Sequence, residues 1–191
     1  MRVAVVIPVK SFTMAKGRLA DTLTPAQREE LARTCAETVV RAASPLPVHI
    51  VCSDDSVANW AVSLGAHVVH CATPGLDVAV TAGRDAIAAL GFDHVIVAHA
   101  DLPLAEELAH VAKEGLVTMV TDRHNDGTNV LSFPLTSEFT TAYGPGSLDN
   151  HIRTAESLGL RYEVINDESL SLDLDTADDL SELERRRKEA P

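Results

Sequence analysis

The first half of the chain alternates short apolar runs with longer amphipathic segments. Residues 3–7 and 94–98 are apolar almost throughout, which is typical of strands buried on both faces of a parallel sheet. The same reasoning predicts further strands at 48–52 and 66–70, and helices at 25–43, 57–64 and 78–90. Strands that alternate with helices over short connections predict a doubly wound α/β sheet.

The pattern changes after Asp101. Strands are predicted at 116–120 and 130–133, on either side of a long loop at 122–129, and a helix is predicted at 148–158. Two more strands at 161–165 and 171–174 precede a last helix that is capped by Thr176. Because no repeat, low-complexity segment or linker interrupts the pattern, we predict one domain over residues 1–191.

The composition and net charge indicate which kinds of ligand the protein can bind. The chain is 46% hydrophobic and 23% charged, as in an ordinary globular protein, and its net charge is −12. This charge argues against nucleic acid as a partner, since binding a polyanion needs a basic face. It does not exclude a small anion, because a few local cations outweigh distant charges once salt screens them.

The cysteines and the first apolar run indicate the cellular compartment in which we expect the protein. Cys35, Cys52 and Cys71 are odd in number and form no C-x-x-C pair, so we expect free thiols in a reducing cytosol. The first apolar run is too short for a signal peptide, and no run reaches transmembrane length. We therefore expect a cytoplasmic protein with no membrane partner, and a homodimer as the default assembly.

Two glycine-containing loops in the second half predict an anion site. The first is Asp-Gly-Thr-Asn at 126–129, and the second is Tyr-Gly-Pro-Gly-Ser at 143–147, which opens onto a predicted helix. Glycine allows the backbone to approach a ligand closely, and a helix N-terminus presents free N–H groups. The candidate residues are Thr128, Gly144 and Ser147.

A second anion site is predicted after the first strand. Lys10, Lys16 and Arg18 lie in the loop that follows it, and the carboxyl ends of parallel strands are where open α/β sheets bind ligands. Three cations there could neutralise a triphosphate. The glycine-rich dinucleotide fingerprint and the P-loop motif are both absent.

Carboxylates near the same edge suggest a Mg²⁺ site. Asp101 follows the fourth strand, and Asp173 and Asp175 share one face of an extended segment. Asp101 with Asp175 would form a two-carboxylate Mg²⁺ clamp, with Asp173 beside it. The alternatives are that Asp101 caps a helix beginning near Leu104 and that the other two only decorate a helix start. Three histidines, His99, His124 and His151, match no metal-binding spacing.

Together these motifs resemble the small guanylyltransferases of deazaflavin coenzyme F-420 biosynthesis. Members join GTP to phosphoenolpyruvate, 2-phospho-L-lactate or 3-phosphoglycerate and release pyrophosphate. The matching segments span nearly the whole chain in the family's order, at 7–10, 15–19, 74–77, 99–103, 122–124, 126–129, 143–147 and 172–176.

The resemblance implies a three-layer α/β fold of the nucleotide-diphospho-sugar transferase (GT-A) kind, with a mixed, mostly parallel sheet. It implies that Thr128, Gly144 and Ser147 hold the phospho-acid and that Asp101 and Asp175 hold Mg²⁺. It also implies that Lys10, Lys16 and Arg18 face the GTP phosphates, with Lys16, Arg18 and Asp101 as the catalytic set. The matching segment of Pro74, Gly75, Leu76 and Asp77 is the candidate nucleotide-base pocket.

Two positions depart from the family pattern, which has serine where Gly17 stands and asparagine where Asp77 stands. A carboxylate can accept both N1–H and the exocyclic N2–H₂ of guanine, so Asp77 is a hypothetical selector of guanine.

Alternative functions remain. Molybdopterin and sugar-phosphate nucleotidyltransferases share the fold but usually carry an L-x-G-G pattern, which this first loop lacks. A non-catalytic nucleotide-binding protein would not need the three aspartates. Among acceptors we favour phosphoenolpyruvate because the composition looks bacterial, with 2-phospho-L-lactate and 3-phosphoglycerate as alternatives.

Overall fold

A computed structural model describes residues 1–189, which form a seven-stranded sheet between helices. The strands are β1 (Val3–Pro8), β2 (Val48–Cys52), β3 (His67–His70), β4 (His94–Ala98), β5 (Val117–Thr121), β6 (Thr128–Pro134) and β7 (Tyr162–Ile165). The helices are α1 (Pro25–Ala42), α2 (Asp55–Ser63), α3 (Leu76–Ala89), α4 (Ser147–Ser157) and α5 (Ala177–Glu189). Short 3-10 turns lie at Phe12–Met14, Gly17–Leu19 and Ala109–Val111.

The sheet is mixed and mostly parallel, as predicted. Its strand order is β3-β2-β1-β4-β6-β5-β7, and β6 runs antiparallel to both of its neighbours while every other pairing is parallel. β1 and β4 are adjacent, so the loops that follow them leave the same edge of the sheet side by side. This is the switch point at which such sheets bind ligands.

Helices cover both faces of the sheet. Along β1, Val5 and Ile7 face the core built with α1 and α2, whereas Ala4 and Val6 face the core built with α3 and α4. This alternation is the period of two that a strand requires. The result is the expected three-layer arrangement, with a small third cluster formed by Leu19, Leu172, Leu174 and Leu183.

Most element predictions are confirmed, including the start of α1. Thr24 caps that helix by a reciprocal exchange with Gln27, and Pro25 occupies the first turn. Two predictions were wrong. Residues 171–174 form no strand, and Leu172 and Leu174 are instead buried by packing in the third cluster. No helix begins near Leu104, so Asp101 is not a helix cap.

Close packing of α3 on the sheet yields one stability prediction. A Cβ at Gly83 would lie 2.5 Å from Val6 Cγ1 and 2.8 Å from Val51 Cγ2. Gly83→Ala gains about 1 kcal/mol of helix propensity but meets an overpacking cost of about 1–3 kcal/mol. We expect a net loss on urea unfolding. Gly17→Ala is the control, because no atom lies within 4 Å of that Cβ; equal stabilities of the two variants would contradict the packing.

Within residues 1–189, none of the helices is both long and apolar enough to cross a bilayer.

Candidate functional site

A cavity of about 400 Å³ opens at the carboxyl edge of β1 and β4. Its walls come from the segment after β1, the segment after β4, the approach to α5 and the start of α3. Among the predicted site residues it is lined by Lys10, Lys16, Leu76, Asp101, Asp173 and Asp175. Distant parts of the chain therefore meet at the carboxyl ends of β1 and β4, the edge at which such sheets bind ligands.

Lys16 lies between two of the carboxylates that line the cavity, those of Asp101 and Asp175. Its Nζ is 2.8 Å from Asp101 Oδ2 and 3.0 Å from Asp175 Oδ1, and the side chain is only 6% exposed. Burial alone would lower the pKa of Lys16, but the two carboxylates outweigh burial and raise it. The residue is thus a buried ammonium that holds two carboxylates together, and it does not face open solvent.

The backbone of Lys16 is strained. Its φ of 56° and ψ of 39° are left-handed, a conformation that costs a residue with a Cβ about 1–2 kcal/mol. The two ion pairs are positioned to offset that cost. The Lys16 side chain is buried although the next two residues, Gly17 and Arg18, are exposed.

Asp101 is ionised and incompletely partnered. Burial would raise its pKa, but the Lys16 ammonium and then His99 outweigh burial and lower it. Its second oxygen, Oδ1, is buried and has no hydrogen-bond partner within residues 1–189. Asp173 shows the opposite shift, because burial and then the charge of Asp101 raise its pKa. An unpaired buried carboxylate oxygen is costly unless a ligand completes it.

These carboxylates fit a magnesium ion of the kind that shares its coordination with phosphates. In the described part of the chain, no three His, Cys, Asp or Glu side chains are arranged to hold a metal by themselves. Mg²⁺ usually takes one or two carboxylates and completes its shell with phosphate and water. Asp101 and Asp175 already contact one cation, the Lys16 ammonium, and Asp101 Oδ1 is free to accept another.

The two predicted anion loops lie against each other. Gly146 donates its N–H to Asp126 Oδ2 at 3.1 Å, and Leu148 donates to the carbonyl of Asp126 at 3.1 Å. Gly144 and Gly146 have φ values of 127° and 68°, which glycine adopts easily, and α4 starts at Ser147. The structure therefore brings the two loops together.

Thr128 and Ser147 are buried, whereas Gly144 is exposed. Thr128 Oγ1 is 3.0 Å from His151 Nδ1, and His151 Nε2 is 3.0 Å from the Ala142 backbone nitrogen. Burial lowers the pKa of His151 to about 4, so the ring is neutral at pH 7. Nε2 accepts a hydrogen bond from the Ala142 N–H and therefore carries no proton. The single proton of the neutral ring is on Nδ1, which donates a hydrogen bond to Thr128 Oγ1. The hydroxyl hydrogen of Thr128 is left to donate elsewhere.

None of Thr128, Gly144 and Ser147 lines the 400 Å³ cavity. The two loops contact each other, but neither loop contributes to the cavity lining. Arg18 is exposed and also lies outside the cavity lining. The roles of these four residues remain predictions.

Sequence reasoning assigned no role to two aromatic residues that connect the cavity to the second anion loop. His99 lines the cavity, its ring centroid is 5.3 Å from that of Tyr143, and Tyr143 is 5.0 Å from His151. His99 Nε2 and Tyr143 Oη are buried without a hydrogen-bond partner among the described residues. Burial raises the pKa of Tyr143, which is therefore a neutral donor. A signal for His99 existed, because it ends the fourth apolar run two residues before Asp101.

The candidate base segment, residues 74–77, leads into α3. Gly75 has a φ of 127° and precedes the first turn, and Leu76 lines the cavity. Asp77 Oδ1 accepts from Thr141 Oγ1 at 2.6 Å and from the Tyr143 backbone N–H at 3.1 Å. The segment is thus adjacent to both the cavity and the second anion loop.

Comparison with known proteins identifies a family that matches nearly the whole chain. The family model described as "Guanylyl transferase CofC like" matches residues 3–186. The chain is 31% identical to the phosphoenolpyruvate guanylyltransferase of Chloroflexus aurantiacus, over 96% of this chain and 95% of that protein. It is 32% identical to the 2-phospho-L-lactate guanylyltransferase of Methanothermobacter thermautotrophicus, over 96% of this chain and 84% of that protein.

Solved structures agree on the fold. A Desulfovibrio desulfuricans protein described as a nucleotide-diphospho-sugar transferase matches with a TM-score of 0.75 at 14% identity, over 99% of this chain and 89% of that one. A nucleotidyl transferase from Methanothermobacter matches with a TM-score of 0.64 at 13% identity, over 98% of each chain. With the nucleotidyltransferase fold, the carboxylate-lined cavity and a family match over nearly its whole length, the chain belongs to the CofC-like guanylyltransferases.

Proposed function

We propose that this protein transfers the guanylyl group of GTP to the phosphate of a three-carbon phospho-acid, with phosphoenolpyruvate as the favoured acceptor. The observation that carries the proposal is the cavity at the β1–β4 edge, where Lys10, Lys16, Asp101 and Asp175 face one space. The names of the relatives support the same reaction. 2-Phospho-L-lactate and 3-phosphoglycerate are the alternative acceptors, since such close analogues differ by one or two pocket contacts.

The reaction needs no general base from the protein. An acceptor phosphate oxygen, already anionic at pH 7, forms a bond to the α-phosphorus of GTP. The bond from that phosphorus to the oxygen bridging the β-phosphate breaks, and pyrophosphate leaves with the electron pair. Catalysis then depends on in-line positioning and on neutralising charge.

The residues divide this work. Asp101 and Asp175, with Asp173 beside them, would hold Mg²⁺, which neutralises phosphate charge when bound. Lys10, Lys16 and Arg18 would bind the triphosphate, and Lys16 and Arg18 would stabilise the departing pyrophosphate. Thr128, Gly144 and Ser147 would hold the acceptor. This assignment rests on the unpaired Asp101 Oδ1 and on the hydroxyl and glycine chemistry of the anion loops.

We further propose that the reaction belongs to coenzyme F-420 biosynthesis in the cytoplasm, carried out by a homodimer. The ordered motifs across the chain support the pathway. Sedimentation of the purified protein tests the assembly, and a monomer at micromolar concentration would contradict it.

A side-by-side assay tests the proposed function. The purified protein is incubated with Mg²⁺, GTP and each of the three acceptors, and pyrophosphate release and product mass are measured. We expect turnover to be fastest with phosphoenolpyruvate and lost without Mg²⁺. GTP binding without turnover on any acceptor would favour a non-catalytic protein, whereas turnover only with sugar phosphates or molybdopterin would favour the other nucleotidyltransferases.

A further inference from the structure

Asp77 joins two parts of the site that are far apart in sequence. It lies in the first turn of α3, next to the candidate base segment, and its partners Thr141 and Tyr143 lie 64 and 66 residues away. These partners lie at the start of residues 141–147, which we call the acceptor loop. Gly144 and Ser147 lie further along the same loop. One carboxylate therefore connects the nucleotide end of the site to the acceptor end.

The acceptor loop is anchored near its end by the Gly146 N–H on Asp126 and in its middle by the packed ring of Tyr143, and its start has few other contacts. Its first three residues lie in neither a helix nor a strand, so their backbone positions depend on individual hydrogen bonds. Three such bonds are present: Thr141 Oγ1 and the Tyr143 N–H donate to Asp77, and the Ala142 N–H donates to His151. Two of the three end on a single atom, Asp77 Oδ1.

This arrangement conflicts with reading guanine by both oxygens of Asp77. A carboxylate oxygen offers about two lone pairs, and Oδ1 already accepts two hydrogen bonds. A bidentate pairing with N1–H and N2–H₂ would need Oδ1 as well as Oδ2. The carboxylate cannot serve a base in that way and keep the acceptor loop in place.

We propose that Asp77 is a positioning residue that couples occupancy of the nucleotide segment to the geometry of the acceptor loop. GTP contacting residues 75–77 then steadies Asp77, and Asp77 aligns Gly144 and Ser147 for the phospho-acid. The inference rests on the proposed function. It predicts that loss of the Asp77 contacts weakens the acceptor and leaves GTP nearly unaffected.

Thr141→Val is the sharpest test, because it removes only the hydroxyl that donates to Asp77 and leaves residues 74–77 themselves unchanged. We expect the acceptor KM to rise about fivefold to tenfold, the value of one hydrogen bond, while the GTP KM stays within about twofold. Thr81→Val is the matched control: Thr81 Oγ1 donates to the Asp77 carbonyl at 2.8 Å on an exposed face of α3, and both KM values should stay at wild type.

Two substitutions of Asp77 separate this role from guanine selection. Asp77→Ala should raise the acceptor KM at least as much as Thr141→Val, whereas Asp77→Asn should largely rescue it, because an amide oxygen can still accept both bonds. The GTP-over-ATP preference should survive in both variants. If Asp77→Ala instead erodes that preference and leaves the acceptor KM unchanged, Asp77 reads the base and the proposed coupling is wrong.

Amide hydrogen exchange gives a readout that needs no turnover. The acceptor loop should exchange faster in Thr141→Val than in Thr81→Val without ligand, and GTP should slow its exchange in the wild type but not in Asp77→Ala. Equal exchange in the two threonine variants, or no effect of GTP on the loop of a protein that binds GTP, would overturn the coupling. Absence of turnover with every acceptor would count against the proposed function alone.

Discussion

Asp101→Asn should lower turnover with GTP by about 10²–10³-fold while the protein stays folded. The asparagine keeps the size of the side chain and an oxygen near Lys16, but it removes the negative charge that a Mg²⁺ ion needs. The readout is kcat from pyrophosphate release at saturating GTP and Mg²⁺, with circular dichroism to confirm the fold.

Asp85→Asn is the matched control, since Asp85 is an exposed aspartate on α3. Its kcat should match that of the wild type. If Asp101→Asn turns over within about threefold of the wild type, then Asp101 holds no catalytic metal.

Lys16→Met should reduce both turnover and stability. Loss of a cation that stabilises developing charge typically costs about 10²-fold or more in kcat. The variant also leaves two carboxylates repelling each other. Removing one partner of a fully buried pair costs about 3–5 kcal/mol, but the Asp175 side chain is 43% exposed, so we expect about 1–3 kcal/mol.

Magnesium should distinguish the two roles of Lys16. Without GTP, Mg²⁺ should raise the melting temperature of Lys16→Met more than that of the wild type, because the ion can enter between Asp101 and Asp175 where the ammonium was. Lys10→Met is the control for stability, since Lys10 is exposed and makes no ion pair among the described residues. An equal Mg²⁺ effect on all three proteins would show that the cation binds elsewhere.

The confirmed predictions rest on sequence patterns that span only a few neighbouring residues. The apolar runs of β1 and β4 are buried on both faces, which is the condition that removes polar residues from a strand. The Thr24–Gln27 capping box is a contact between residues three apart, so its motif is complete in the sequence. The segment at 171–174 shows the limit of such signals, because burial by packing and burial by strand pairing select the same apolar residues.

Site residues could be identified by type and position but not by contact. Asp101 and the lysines of the first loop follow strands whose carboxyl ends share an edge, and that rule brought them together. The rule about strand ends does not predict which charged side chains form ion pairs, such as Lys16 with Asp101 and Asp175. No role was assigned to His99 or Tyr143, because only His99 has a positional signal, next to the fourth strand, and neither position shows that the ring is buried with an unpaired polar atom.

From its own pattern, the chain determines the order of strands and helices and which strands are covered on both faces, because each depends on side chains a few residues apart. The fold decides the rest. Lys16 meets Asp175 across 159 residues, and Asp77 meets Tyr143 across 66. Such contacts form only when separate loops are carried to one edge of the sheet, so they are properties of the packed molecule and cannot be read from neighbouring residues.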